Sequence, residues 1–359
     1  MKNIAIIGTQ GVPAKYGGFE TLVENIIGEN ASPNIKYTVF CSGKDMNSKI
    51  NTYKGASLKY IPLHANGIQS IFYDILSMIY CIKGYDAILI LGVSGCLFLP
   101  IFRLFFHKKI IINIDGLEHR REKWGFFARK ILRNSEAMAV RFANTIIADN
   151  KGIQDYVKEV YAKQSSLIAY GGDHVKKDIS DKRQHEILKK YNIHPKEYAI
   201  TICRIEPENN CHIILEAFSQ SNEILVFIGN WENSKYAINL YNKYKTFKNI
   251  HFINSLYDLE ELYSLRNNCK WYLHGHSAGG TNPSLVEAMF FNKPIFAFDV
   301  IYNKETTFNK AFYFRDVESL KKLLQTAESE IPESKDSMTN LAEQHYLWKH
   351  IAKQYESLF

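Results

Sequence analysis

At 359 residues the chain is too long for one ordinary hydrophobic core, so two domains are expected. With 46% hydrophobic and 23% charged residues, and no low-complexity stretch or internal repeat, it reads as a soluble globular protein rather than a disordered or repeat chain. The net charge of +7 is unevenly placed: between Arg103 and Arg141 ten Lys/Arg face four Asp/Glu, with Phe105, Phe106, Trp124, Phe126 and Phe127 interleaved.

Six scattered cysteines without a CxxC pair read as small hydrophobes in a reducing compartment. The start, Met1 to Gly8, enters a strand directly and lacks the pattern of a cleavable signal, so a cytoplasmic location is expected. The longest apolar run, Ala87 to Phe102, falls short of the ~20 residues that span a bilayer. Gly92, Gly95 and Pro100 divide it into strand, loop and helix, so it reads as core. The basic, aromatic segment suits an anionic membrane surface, with Arg120, Arg121, Lys123 and Trp124 as its candidate contacts. A solvated basic face is the plainer alternative. Nucleic acid is not expected as a partner, because no recognised binding motif accompanies the charge.

In chain order, Lys2 to Gly8 reads as a buried parallel strand. The loop Thr9 to Thr21 lacks the G-x-G-x-x-G fingerprint, which argues against a nicotinamide enzyme. Gly17 and Gly18 would let a ligand approach the backbone closely, or form a plain surface turn. Further strands are expected at 37–41, 58–61, 87–91, 110–114 and 145–148, with helices between most of them: a parallel sheet covered on both faces. Asp115 directly follows an apolar strand, where it can cap a helix or face a substrate; the second is preferred. After a short strand at 166–169 and the turn Tyr170 to Asp173, residues 173–197 look like linker plus a solvated helix.

A second α/β series follows, with strands at 198–203, 224–228, 251–253, 270–273 and finally 294–298. Arg204 would point a cation across the carboxyl edge, suited to bidentate phosphate recognition, or pair with Glu206 or Glu208. The stretch Trp271 to Met289 reads as strand end, small-residue loop and helix start. A glycine-rich loop opening a helix aims backbone N–H groups at one spot, which suits a phosphate. Glu287, a turn further, can accept hydrogen bonds from sugar hydroxyls. An ordinary strand-to-helix turn is the alternative. The tail 341–359 carries an apolar helical stripe.

These motifs, Ile7 to Thr21, Asn113 to Glu118, Cys203 to Asn210 and His274 to Ser284, together resemble the retaining family-4 glycosyltransferases. More narrowly, the chain resembles bacterial rhamnosyltransferases of capsule and O-antigen assembly. The resemblance implies an α/β fold of the GT-B kind. Two facing Rossmann-like parallel-sheet domains are expected, an acceptor-side one at 1–170 and a nucleotide-sugar-binding one at 171–340. A C-terminal helix, 341–359, would return to the first. It also implies that Gly17 and Gly18 approach the donor pyrophosphate and that Arg204 neutralises the leaving diphosphate, with Asn209 in the same loop. Gly279, Gly280, Thr281 and Asn282 would contact diphosphate and sugar, Glu287 would hold the ribose, and Asp115 would lie near the reacting sugar.

Two positions depart from the wider family: Gly279 stands where a first glutamate is usual, and Asn209 where a lysine is usual. Both read as adaptation to a deoxy sugar. The expected donor is therefore dTDP-L-rhamnose, with a UDP-sugar (glucose or N-acetylglucosamine) as alternative. The expected acceptor is a lipid-linked saccharide at the inner leaflet of the cytoplasmic membrane, and neither metal nor cofactor is expected. A non-catalytic nucleotide-sugar-binding partner of another transferase is the alternative from a different class.

Overall fold

The computed structural model describes residues 1–14, 17–120, 125–325 and 334–359. The chain divides into two compact units, Met1–Tyr170 with Trp348–Phe359, and Gly171–Leu347.

In the first unit the strands are β1 (Lys2–Ile7), β2 (Ile35–Ser42), β3 (Thr52–Tyr53), β4 (Ala56–Ile61), β5 (Ala87–Leu91), β6 (Lys109–Asn113), β7 (Thr145–Ala148) and β8 (Ser166–Leu167). They form one sheet in the order β3-β4-β2-β1-β5-β6-β7-β8, parallel except for the β3–β4 edge hairpin. The helices are α1 (Gly18–Gly28), α2 (Gln69–Tyr80), α3 (Leu99–Phe105), α4 (Phe126–Phe142) and α5 (Lys151–Tyr161). From β1 the chain steps through α1 to β2 on one side. From β4 it steps through α2, α3 and α4 the other way, to β5, β6 and β7. Right-handed crossovers therefore put α1 on one face of the sheet and α2, α3 and α4 on the other.

The second unit holds β9 (Tyr198–Ile202), β10 (Ile224–Ile228), β11 (Ile250–Ile253), β12 (Trp271–His274), β13 (Ile295–Phe298) and β14 (Phe312–Phe314), all parallel, in the order β11-β10-β9-β12-β13-β14. Its helices are α6 (Asp181–Lys190), α7 (Cys211–Ser219), α8 (Lys235–Tyr244), α9 (Leu259–Asn267), α10 (Pro283–Met289), α11 (Ile301–Thr306), α12 (Val317–Gln325) and α13 (Ser334–His345). The last helix, α14 (Trp348–Ser357), belongs to the first unit. There Trp348, Ile351 and Tyr355 join Val23, Ile26 and Ile27 of α1 in one buried cluster. Each such side chain contributes roughly 1.5–3 kcal/mol by leaving water.

Four features differ from the sequence expectations. The strand at 294–298 does not complete the second sheet, because Phe312–Phe314 adds an edge strand too short to show an alternating pattern. The hairpin strand β3 has only two residues and the same problem. The helix expected within 173–197 is not merely solvated: α6 buries Gln184, Ile187 and Leu188 and packs on α9. The tail is two helices rather than one, and the chain leaves the second unit after Leu347 rather than after residue 340. Tyr346 decides this, because its hydroxyl, buried in the second unit, donates to Thr306 O at 2.9 Å. No helix among the described residues is long and apolar enough to cross a membrane.

Candidate active site

In an open parallel sheet, ligands bind beyond the carboxyl ends of the strands, where neighbouring crossovers part in opposite directions. In the second sheet that point lies between β9 and β12. The loop after β9 carries Arg204, and the loop after β12 is Gly275 to Asn282. The two loops are stitched together. Asn210 Nδ2 donates to Gly275 O at 2.8 Å, and Ser277 donates through both N and Oγ to Glu208 O at 2.8 Å. A Cβ on Gly275 would collide with Asn209 O, so only glycine permits this approach. Asn303 Nδ2 braces the second loop from behind, donating to His276 O at 2.9 Å.

Arg204 stands out from this scaffold. Its side chain is 42% exposed and Nη1 lies 3.6 Å from Glu206 Oε1, a loose pair that water screens. The plainer pairing with Glu206 is thus present, and the Arg204 side chain still reaches solvent. Asn209 is placed differently from the donor contact expected of it. It is buried, and Nδ2 donates to Arg204 O at 2.7 Å, so its amide holds the loop. Glu208 is buried as well, and neither carboxylate oxygen has a hydrogen-bond partner in the protein. A hydroxyl-rich ligand would supply such donors.

Gly279 has φ +120° and open space where a Cβ would sit. Thr281 is buried, and Asn282 opens α10 with Oδ1 accepting from Ser284 Oγ at 3.0 Å. Gly280 lies between them, half-buried. With seven residues α10 is short, so its end supplies a weaker field than a long helix would. Glu287 sits on its inner side, ion-paired to Arg266 and 3.5 Å from His174 Nε2. Burial alone would raise its carboxyl, but Arg266 and then His174 outweigh that and hold it below the usual value. Behind the loop, His274 and His276 stack at 4.3 Å, and burial pushes His274 down to about 3, so it stays neutral.

The first unit has its own switch point, between β1 and β5. The loop after β1 is held by Glu20, whose Oε1 accepts from Thr9 Oγ1 at 2.9 Å and Gln10 N at 2.7 Å. Gly17 precedes α1 with φ +102°, and a Cβ there would strike Glu20 Oε2; Gly18 begins the helix. Beyond β6, Asp115 adopts φ +57° and its N–H donates to Asn113 Oδ1 at 3.0 Å. Asn113 Nδ2 in turn donates to Tyr355 of α14 at 3.0 Å. A left-handed aspartate next to a sheet edge is a strained arrangement of the kind found at functional sites. Arg120 closes a short turn. Its side chain, like Arg121, Lys123 and Trp124, lies outside the described residues.

Residues 183–345 match the family model described as "Glycosyl transferases group 1". Residues 1–173 match a domain of unknown function, DUF1972. No curated protein matches the chain. Among solved structures it is similar to a sucrose-phosphate synthase from Thermosynechococcus elongatus, with TM-score 0.83 and 15% identity over 100% of this chain and 98% of that one. It is also similar to the Anabaena protein HepE in complex with UDP-glucose, with TM-score 0.73 and 14% identity over 100% and 99%. A third is the catalytic domain of starch synthase IV from Arabidopsis thaliana bound to ADP and acarbose, with TM-score 0.71 and 12% identity over 99% and 98%. The fold is GT-B, built of two parallel-sheet Rossmann-like domains.

Within the second unit, the side chains that sequence reasoning missed are Arg266 and His174; Glu208 figures there only as a possible partner of Arg204. Arg266 lies on α9 and His174 in a turn before α6, so nothing in the local pattern links them to Glu287. A buried arginine late in an amphipathic helix was the one available signal for the first. Among the described residues no group of three or more His, Cys, Asp or Glu side chains converges as metal ligands would.

Proposed function

We propose that the chain binds a nucleoside-diphosphate sugar at the β9/β12 edge and transfers the sugar with retention onto a lipid-linked saccharide. The observation that carries this reading is Arg204, an exposed guanidinium on a loop already braced by Asn209, Asn210 and Ser277. As the anomeric C–O bond breaks, its electron pair passes to the departing diphosphate. A cation fixed in advance stabilises that charge without reorganising. The acceptor oxygen attacks from the same face, and its proton passes to the departing phosphate oxygen. Gly279, Gly280, Thr281 and Asn282 are assigned to the diphosphate and sugar. Glu287, kept ionised by Arg266, is assigned as acceptor for the ribose hydroxyls. Asn209 acts through the Arg204 loop, and Asp115 is assigned to the catalytic machinery near the reacting sugar.

The donor proposed is dTDP-L-rhamnose. The space beside Gly279 and the amide at Asn209 leave fewer side-chain contacts for a sugar, which suits one that lacks a hydroxyl. A UDP-sugar is the second reading, favoured by the similarity to HepE in complex with UDP and with UDP-glucose. The acceptor reading places the chain in bacterial surface polysaccharide synthesis, at the inner face of the cytoplasmic membrane. The excess of basic residues between Arg103 and Arg141 supports it, with Arg120, Arg121, Lys123 and Trp124 among the contacts.

Melting shifts with dTDP, UDP and GDP identify the base, since a nucleotide that binds the fold raises Tm with its concentration. Arg204→Ala is expected to lower transfer by about 100- to 1000-fold while leaving Tm near the wild-type value. Full activity in that variant, or no shift with any nucleotide, overturns the proposal.

A further inference from the structure

The face of the first sheet covered by α2, α3 and α4 is apolar on its outer side as well as its inner one. On α3, Leu99 and Phe102 are buried against the core, while Ile101, Leu104 and Phe105 point into solvent. The apolar run at 87–102 therefore supplies core only through half of its helix. On α4 the first-turn residues Phe126 and Phe127 are 77% and 81% exposed, and on α2 Phe72 is 60% exposed. The helices are neighbours: α3 packs on α4, and the short turn Cys96–Phe98 touches all three. Isolated exposed apolar side chains need no explanation, but a run of large ones across three adjacent helices does.

The charges on the same helices are one-sided. Their only carboxylates are Asp74 and Glu136, and both are buried. Glu136 accepts from the hydroxyls of Tyr156 and Tyr161 at 2.7 Å and pairs with His119 at 3.0 Å. On α4, Arg129, Lys130, Arg133 and Arg141 are exposed. What reaches solvent is thus aromatic, aliphatic, cationic or, at Gln69 and Asn134, uncharged polar, and never anionic.

We infer that α2, α3 and α4 form the surface by which this chain lies on an anionic bilayer, with Leu104, Phe105, Phe126 and Phe127 entering the headgroup region. Apolar side chains gain there by leaving water, and cations gain from the negative surface potential. A neutral, hydrophobic protein partner would match the first property but not the second. The inference rests on the membrane-side reading of the acceptor, and places the contact on helices other than the segment 120–124.

The test is co-sedimentation of the full chain with vesicles of equal parts phosphatidylglycerol and phosphatidylcholine. Two variants are compared with wild type, Leu104→Ser with Phe105→Ser, and Phe126→Ser with Phe127→Ser. These side chains are exposed, so the unfolding transition should stay in place. Each pair is expected to weaken binding about tenfold or more. Added salt or pure phosphatidylcholine should weaken wild-type binding as well. Unchanged binding in both pairs overturns the proposal. So does a wild type that ignores vesicles but dimerises through these residues, which would assign the face to a second copy. The nucleotide-induced Tm shift, measured without vesicles, should be the same in both pairs. Vesicle binding without any nucleotide shift would strike the donor reading and leave this surface standing.

Discussion

Each unit sets a positive-φ glycine ahead of a helix and a glutamate within it, and the two pairs work in opposite ways. Gly17 makes room for the protein itself, since a Cβ there would strike the Glu20 carboxylate. Gly279 makes room for something else, since nothing lies within 4 Å of a Cβ built there. Glu20 has no cation beside it among the partners that hold it. Burial raises its carboxyl above the ordinary value, against the opposing bonds from Gln10 and Thr9. Glu287 is just as enclosed, yet Arg266 and His174 hold it below. A glycine-then-glutamate pattern is therefore no guide to charge state. The cation supplied from elsewhere in the fold decides it.

The sharpest way to break the contrast is to remove that cation. Arg266→Ala leaves the Glu287 carboxylate enclosed without its ion-pair partner, and should cost about 3–5 kcal/mol in the unfolding transition of the second unit. Denaturant unfolding measures this, and a loss no larger than that of an exposed substitution would sink the pairing argument. Next come the glycines. Gly17→Ala meets both a positive φ and a carboxylate and should cost about 1–3 kcal/mol. Gly279→Ala meets only the positive φ and should cost about 1 kcal/mol. If the order of the two is reversed by calorimetry, the space at Gly279 is not free.

The smallest effect is in pH. For Glu20 the folded value is raised, so its contribution is complete below the unfolded value near 4.5 and is lost as pH rises through the folded one. For Glu287 the folded value is lowered, so its contribution is present above 4.5 and lost as pH falls through the folded one. Glu20→Gln keeps an acceptor for Thr9 and Gln10 and should flatten the first slope, gaining on the order of 1 kcal/mol at neutral pH. Stability profiles from acid to neutral, compared between wild type and Glu20→Gln, check the sign.

Much of the fold was open to reading because buried parallel strands are continuous apolar runs. Ala87–Leu91, Thr145–Ala148 and Ile224–Ile228 have the bounds their residues suggest. The loops after β9 and β12 were legible for a related reason, since polar and glycine residues directly after such strands must lie at the carboxyl edge. Thr52–Tyr53 and Phe312–Phe314 were not, because two or three residues carry no period. Arg266 and His174 escaped because they lie 21 and 113 positions from Glu287 along the chain, as read from the numbering. Residues Arg121, Lys123 and Trp124 lie outside the described part of the structure.

By itself the sequence determined the alternation of strands and helices, the place of the glycine loops and the position of Arg204 just after a buried strand, since these follow from local periodicity and from which residues tolerate unusual backbone. Only the tertiary structure decided that Asn209 braces a loop, that Glu287 is held ionised, and that α3 turns an apolar side to solvent. Those outcomes depend on neighbours brought from distant strands and helices. Burial and charge are properties of such neighbourhoods and not of positions along the chain.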